Sequence, residues 1–292
     1  MSTEPQPRRL SGLSEIAADY DLILCDVWGV IHNGRENFPR GCEALSRFQA
    51  MRGEPVVLIS NSPRPSDDVR AQLHALLVPD HAFSGFVTSG DATRAELKKR
   101  APGPVFAIGP ERDGTLYDGT GLALCGIEDA AFLSVTGLVD DEAETPEDYR
   151  AVLTLAASRG LELVCANPDI VVHRGTKLIY CAGALAALYR ELGGRVVMAG
   201  KPHAPIYELA LETAAALRGQ PADRRRILAI GDGLPTDVAG ALDQGIDCLF
   251  VSSGIHGDET VGADGALDLE RVNQLLGGNG LTSTYVLPHL VW

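Results

Sequence analysis

The chain contains few basic residues for its length. Lysine and arginine number 25 against 39 aspartates and glutamates among 292 residues, which gives a formal net charge of -14. Nucleic acids and anionic membranes are bound by clustered lysine and arginine, so this balance argues against both as partners. An acidic chain that handles an anion must gather its few cations at one site or bind a metal ion.

Long apolar runs and CxxC pairs are also absent from the sequence. No stretch reaches the ~20 apolar residues that a membrane span needs, and the first residues, MSTEPQPRRLSGLSE, lack the apolar core of a signal peptide. The six cysteines mostly lie inside apolar runs, as buried reduced thiols do. We therefore expect a soluble cytoplasmic protein without a membrane segment.

Short apolar runs alternate with longer amphipathic ones, and hydrophobic residues make up 45% of the chain. This alternation predicts a parallel sheet with helices on both faces. The last segment, LTSTYVLPHLVW, is apolar enough to pack on the core or on a partner. The predicted strands lie at 21–30, 56–60, 104–109, 161–166, 196–200, 226–232 and 247–252, and the predicted helices lie at 41–52, after the Ser66 N-cap, after Thr145-Pro146 and at 180–192.

Polar residues follow several predicted strands, at the carboxyl ends where parallel sheets bind ligands. Each has a plain structural alternative, such as a turn for Asp26 or a solvated surface position for Lys201. Their shared placement nevertheless predicts a common site. The residues at these ends are Asp26, Ser60, Asn61, Ser62, Lys201, Asp232 and Asp237.

Such a set of residues would suit the transfer of a phosphoryl group. A carboxylate can attack phosphorus and form an aspartyl-phosphate, but the repulsion between the two anions must be offset by cations. Mg²⁺ prefers carboxylate oxygens, which Asp26 and Asp232 could supply. The Ser60 hydroxyl could donate hydrogen bonds to the phosphoryl oxygens.

Four motifs resemble, in order, those of the haloacid dehalogenase-like superfamily: DVWGV at 26–30, ISNS at 59–62, GKPH at 200–203 and GDGLPTD at 231–237. Three further segments are similar to its class II cap branch, the p-nitrophenylphosphatase-like enzymes: VTSGDAT at 87–93, ANPD at 166–169 and CAGAL at 181–185. The resemblance covers about residues 20 to 256. It implies an α/β fold: a Rossmann-like parallel-sheet core at 1–87 and 196–292 and a smaller inserted α/β cap domain at 88–195.

The same resemblance implies roles for individual residues. Asp26 would be the nucleophile and would ligate Mg²⁺ together with the carbonyl of Trp28 and the carboxylate of Asp232. The substrate would be a small phosphorylated metabolite, and caps of this branch often contribute to dimer contacts, which allows a homodimer. Asp237 would hold the water shell of the metal or orient Lys201. Ser60 would bind the phosphoryl group, with Asn61 and Ser62 beside it, and Lys201 would neutralise that group. Asn167 and Asp169 would shape the substrate site.

Trp28 departs from the pattern of the phosphatases, which carry a second aspartate at this position. Indole has no acid function near neutral pH, and general acid–base catalysis contributes about 10²–10⁴-fold. We therefore expect slow hydrolysis of alkyl phosphates and a smaller loss for phenolic or acyl leaving groups. His32 is a candidate substitute acid, against its interpretation as a loop or core-edge histidine.

Two other functions stay open beside the phosphatase. One is a binding or regulatory protein of the same fold that has lost most turnover. The other is carbon–halogen hydrolysis, because haloacid dehalogenases resemble this chain in carrying an aromatic residue at the position of Trp28 and need no Mg²⁺. Asp232 and Asp237 argue against that chemistry, since they make sense mainly as groups of a metal site.

Overall fold

The computed structural model describes residues 6–174, 177–262 and 264–292, with the backbone alone at residue 173. The chain divides into two compact units. The first contains the residues up to Ser60, Ala71–Phe86 and Tyr207–Trp292, and the second contains Asn61–Arg70 and Val87–Ile206. The second unit thus includes the whole segment 88–195, which was predicted to be the cap, together with two stretches that were predicted to belong to the core. That this segment acts as a cap stays a prediction.

The strands of the described residues belong to three sheets. Their order is β1-β14-β13-β12-β2-β3-β4 in a seven-stranded sheet, β11-β8-β7-β5-β6 in a five-stranded sheet, and β10-β9 in a hairpin. The bounds are β1 (Arg8–Arg9), β2 (Leu22–Cys25), β3 (Val56–Ser60), β4 (Gly85–Thr88), β5 (Pro104–Ile108), β6 (Ala123–Leu124), β7 (Phe132–Val135), β8 (Glu162–Cys165), β9 (Val171–Arg174), β10 (Lys177–Tyr180), β11 (Arg195–Met198), β12 (Ile227–Gly231), β13 (Asp247–Val251) and β14 (Tyr285–Leu287).

The α-helices connect these strands, and shorter 3-10 turns lie between them. None of the helices in the described ranges combines the length and hydropathy that crossing a membrane requires. The bounds are α1 (Pro39–Arg52), α2 (Ser66–Ala75), α3 (Ser89–Lys98), α4 (Arg150–Ser158), α5 (Ala182–Glu191), α6 (Ala204–Arg218), α7 (Ala239–Gln244), α8 (Gly257–Thr260) and α9 (Leu269–Gly278).

The centre of the seven-stranded sheet is formed by β12, β2 and β3. They pair in parallel, and every residue of the three strands is buried, as continuous apolar runs in a parallel sheet predict. Helix α1 begins with Pro39 in its first turn and ends at Gly53, whose φ of 66° suits a glycine C-cap. The predicted α/β class is therefore confirmed.

The second unit has a parallel sheet of its own. Strands β11, β8, β7 and β5 pair in parallel, and helices α4 and α5 contribute the buried Leu153, Leu185 and Tyr189 to its core. The Tyr189 hydroxyl donates a hydrogen bond of 2.6 Å to the Leu161 carbonyl. This polar partner allows a tyrosine to lie in the apolar interior.

Some predicted bounds were wrong. Tyr180 pairs with Val171 in the hairpin, so helix α5 starts at Ala182 rather than at 180. Thr145 is the N-cap and Pro146 the first residue, as predicted, of a 3-10 turn over Pro146–Tyr149 that runs directly into α4 at Arg150. The C-terminal segment, which the sequence left open, packs on the core, where Leu290 is 3% exposed.

Candidate active site

Three buried carboxylates gather at the carboxyl ends of two neighbouring strands in the first unit. Asp26 follows β2 and Asp232 follows β12, while Asp237 lies in a π-helical turn over Leu234–Val238. The strands pair with Cys25 beside Ile230, and the Asp26 N–H donates to the Ile230 carbonyl at 2.8 Å. One carboxylate oxygen from each acid lies within 4.8 Å of the others.

Three such acids form a donor set for a cation. They are buried, with exposed fractions between 4% and 8%, and carboxylates this close repel one another when all are ionised. Mg²⁺ takes hard oxygen ligands, usually one or two carboxylates with water. The residues present therefore fit the predicted Mg²⁺.

Backbone groups orient two of these acids, which the sequence did not predict. The Ile255 N–H donates to Asp232 Oδ2 at 2.9 Å, and the Gly233 N–H donates to Asp237 Oδ2 at 3.0 Å. A Cβ built on Gly254 would overlap Asp232 Oδ2, and one on Gly231 would overlap the carboxyl carbon of Asp237. In the sequence, the only indication of this close packing around the acids was the glycines at positions 231 and 254. They leave the space that the carboxylates occupy.

Thr236 is of a residue type that favours the N-cap position, but it does not cap this turn. Gly233 occupies the N-cap position of the π-helical turn, with no side-chain capping bond, while Thr236 lies inside the turn. A proline follows at Pro235, where a missing backbone N–H is tolerated at the start of a helix. The turn places the Asp237 side chain next to Gly231.

Ser60 lies on the same sheet edge as Asp26. It is the last residue of β3, which pairs with β2 so that Leu58 is beside Cys25. Its exposed fraction is 9%. The parallel register thus places the predicted phosphate-binding hydroxyl at the carboxyl end next to the predicted nucleophile.

The Trp28 ring packs against a tight turn that follows Asp26. It meets the His32 ring edge to face, with 5.1 Å between the ring centroids. A Cβ on Gly34, which has φ +82°, would overlap the indole. The Trp28 indole therefore packs on His32 and Gly34.

The structure argues against His32 as a substitute acid. His32 is 2% exposed, and burial lowers its pKa to about 4. Its Nδ1 accepts a hydrogen bond from the Gly34 N–H at 3.0 Å, which assigns the proton of the neutral ring to Nε2. A neutral imidazole does not release that proton near pH 7, so the interpretation as a core-edge histidine is the one the geometry supports.

Four predicted site residues meet in the second unit. Asn61 Nδ2 donates to Asp169 Oδ1 at 2.8 Å and to the Lys201 carbonyl at 3.2 Å, and Asn61 Oδ1 accepts from the Lys201 N–H at 2.8 Å. The Asp169 N–H donates to Asn167 Oδ1 at 3.0 Å. The amide of Asn61 therefore links the loops after β8 and β11.

Lys201 is not the surface lysine that its sequence allowed. Its exposed fraction is 2%, whereas lysines are almost never fully buried unless they are paired. Ser62 follows Asn61 in the chain, and its hydroxyl oxygen accepts from the Arg64 N–H at 3.3 Å. Burial of Lys201 excludes the solvated surface position.

Fold and site together define a Rossmann-like α/β protein with a carboxylate cluster at the ends of its central strands. Residues 23–123 match the family model described as haloacid dehalogenase-like hydrolase, and residues 198–274 match a second model of such hydrolases. The chain is 46% identical to a hydrolase of the haloacid dehalogenase-like family from Brucella suis 1330. The crystal structure of that protein aligns with a TM-score of 0.85 over 98% of this chain and 100% of that chain. The chain therefore belongs to the haloacid dehalogenase-like hydrolase family, as its motifs predicted.

Two more distant relatives have names that specify an activity. The 5'-nucleotidase YutF of Bacillus subtilis (strain 168) is 28% identical over 238 residues, which cover 81% of this chain and 88% of that protein. The p-nitrophenyl phosphatase from Archaeoglobus fulgidus is 22% identical, with a TM-score of 0.70 over 93% of this chain and 97% of that chain. The second likeness shows a shared fold. The name of the YutF relative agrees with the predicted enzyme class, a phosphoric monoester hydrolase.

Proposed function

We propose that this hydrolase is a Mg²⁺-dependent phosphatase that acts on a small phosphorylated metabolite through an aspartyl-phosphate. The observation that carries the proposal is the cluster of Asp26, Asp232 and Asp237, whose carboxylate oxygens lie within 4.8 Å of one another. The name of one relative, the 5'-nucleotidase YutF, supports it.

Asp26 would act as the nucleophile. Its carboxylate oxygen would attack phosphorus while the bond to the ester oxygen breaks, and the leaving group would depart as an alkoxide or phenolate with the electron pair of that bond and take its proton from water. Water then attacks the acyl phosphate, which releases inorganic phosphate and restores the carboxylate. The Asp26 N–H is bonded to Ile230 on the neighbouring strand, so the nucleophile sits on a rigid part of the sheet.

Cations would offset the charge that gathers at phosphorus. Asp26, Asp232 and the Trp28 carbonyl would hold Mg²⁺ directly and Asp237 through its water shell, and the bound ion would neutralise the phosphoryl oxygens. Lys201 would neutralise the same group, and the Ser60 hydroxyl would donate to it. The hydrogen bonds from Asn61 to both backbone groups of Lys201 suggest that Asn61 positions this lysine.

The segment 88–195 would serve as the cap that selects the substrate. Asn167 and Asp169, at the end of β8, are fixed by the Asp169 N–H and by the amide of Asn61. Their polar atoms would shape the site for the non-phosphate part of the metabolite. Because Trp28 cannot protonate a leaving alkoxide, the enzyme would favour substrates whose leaving group is already acidic.

A second candidate function is a phosphate-ligand binding or regulatory protein. Trp28 favours it, because this indole removes the usual general acid while the buried acids and Lys201 stay in place. Such a protein would bind phosphate without turnover.

Removal of the metal tests the two candidates. The full chain would be stripped with a chelator and assayed on p-nitrophenyl phosphate and a nucleoside 5'-monophosphate, before and after Mg²⁺ is restored. We expect phosphate release to fall by about 10²-fold or more without the ion and to return with it. If phosphate is never released while vanadate still binds, the binding protein is the correct interpretation.

Gly254→Ala is expected to damage the same site through one added methyl group. The new Cβ would overlap Asp232 Oδ2, so the carboxylate must turn away from its Ile255 partner. We expect Mg²⁺ binding to weaken by about 10-fold or more, measured by calorimetry. Gly257→Ala is the matched control, since its Cβ meets no atom within 4 Å. Equal Mg²⁺ affinity in both variants would count against Asp232 as a ligand.

A further inference from the structure

The C-terminal segment continues alongside the central sheet beyond the end of its strand. Strand β14 pairs with β13, with Leu287 beside Val251. The pairing then extends into the loops, where the Ser252 N–H donates to the Leu287 carbonyl at 2.9 Å and the Ser253 N–H donates to the Pro288 carbonyl at 3.0 Å. Residues 252–253 are thus held by residues 287–288.

A side-chain hydrogen bond adds to this backbone pairing. Ser253 Oγ and His289 Nδ1 lie 2.6 Å apart. From helix α8, Thr260 Oγ1 donates to the Ser252 carbonyl at 3.1 Å, and Thr260 is fully buried. The start of the loop after β13 is therefore fixed from two directions.

This loop carries the N–H group that orients Asp232. Only Gly254 separates Ser253 from Ile255, whose N–H donates to Asp232 Oδ2 at 2.9 Å. Because Gly254 itself packs directly on the carboxylate, a small shift of Ser253 moves both contacts. A carboxylate that must meet a cation in one orientation is sensitive to such shifts.

The far end of the C-terminal segment is anchored as well. The Leu13 N–H donates to the Val291 carbonyl at 2.8 Å. Leu290 is buried, and its Cβ lies 3.7 Å from the position that a Cβ on Gly41 of α1 would take. The exposed imidazole of His289 thus sits on a backbone that is held on both sides.

We propose that His289 and Ser253 are positioning residues of the metal site, through which the C-terminal segment fixes the loop that holds Asp232. The proposal rests on the proposed function, since it assumes that Asp232 binds Mg²⁺. It assigns the segment 287–289 to the machinery of the site and not only to the core.

This assignment is tested by measuring Mg²⁺ binding to the full chain by calorimetry, with the metal ion as the only ligand. We expect Ser253→Ala and His289→Ala each to weaken binding by about three- to ten-fold. His289→Asn should restore the affinity, because its amide can take the place of Nδ1 next to the Ser253 hydroxyl. The double variant should be no weaker than either single one, since both remove the same bond.

The control is His74→Ala, which removes another exposed histidine of the first unit, 3.5 Å from Asp80. It should leave Mg²⁺ affinity within about two-fold of the unsubstituted chain. A purely structural role would lower the thermal midpoint of Ser253→Ala and His289→Ala without changing Mg²⁺ affinity, and that result would overturn the proposal alone. Absence of saturable Mg²⁺ binding by the unsubstituted chain would overturn the proposed function and this inference together.

Discussion

Asp26→Asn is expected to lower phosphatase turnover by about 10⁴-fold or more. The amide has nearly the same size as the carboxylate but is a poor nucleophile, and it offers the cation no charge. Asp26 is buried at the end of β2, with an exposed fraction of 7%. The measurement is steady-state phosphate release from p-nitrophenyl phosphate at saturating Mg²⁺.

The matched control is Asp19→Asn, the same chemical change at an exposed residue a few positions upstream. It should retain nearly full turnover. Thermal unfolding of both variants separates loss of the nucleophile from loss of the fold. A folded Asp26→Asn variant that keeps more than about a tenth of the turnover would exclude Asp26 as the covalent nucleophile.

The predicted convergence of distant residues on one sheet edge depended on a simple rule. Parallel strands that are neighbours end at the same edge, so the order of motifs places Asp26 and Asp232 together once β2 and β12 are adjacent. Their register, with Cys25 beside Ile230, meets that condition. The apolar runs of these strands were long enough to be recognised, and their polar ends identified the acids.

Other features could not be predicted because the sequence carries no clear pattern for them. The β9–β10 hairpin has strands of four residues each, too short for a clear alternation to distinguish them from a helix start at Tyr180. The contact of Ile255 with Asp232 depends on a backbone N–H, which has no sequence signature. Burial of Lys201 could not be predicted either, since an isolated lysine favours the surface.

Trp28→Asp is expected to raise turnover of alkyl phosphates by about 10²-fold. A carboxyl group at this position can protonate the leaving alkoxide and then accept a proton from the attacking water, which indole cannot do. The gain on p-nitrophenyl phosphate should be under about ten-fold, because a phenolate leaves without much protonation. The measurement compares kcat/KM for glycerol phosphate and for p-nitrophenyl phosphate across pH.

Trp28→Asn separates the acid from the loss of the ring. Both substitutions remove the packing of the indole on His32 and Gly34, which should destabilise the first unit by a similar amount, about 1–3 kcal/mol for a half-buried ring. Only the aspartate adds a proton donor, so only Trp28→Asp should gain a pH-dependent limb that reports its titration. If the two folded variants hydrolyse glycerol phosphate equally, Trp28 does not limit turnover by withholding a proton, and the ring instead has a binding role.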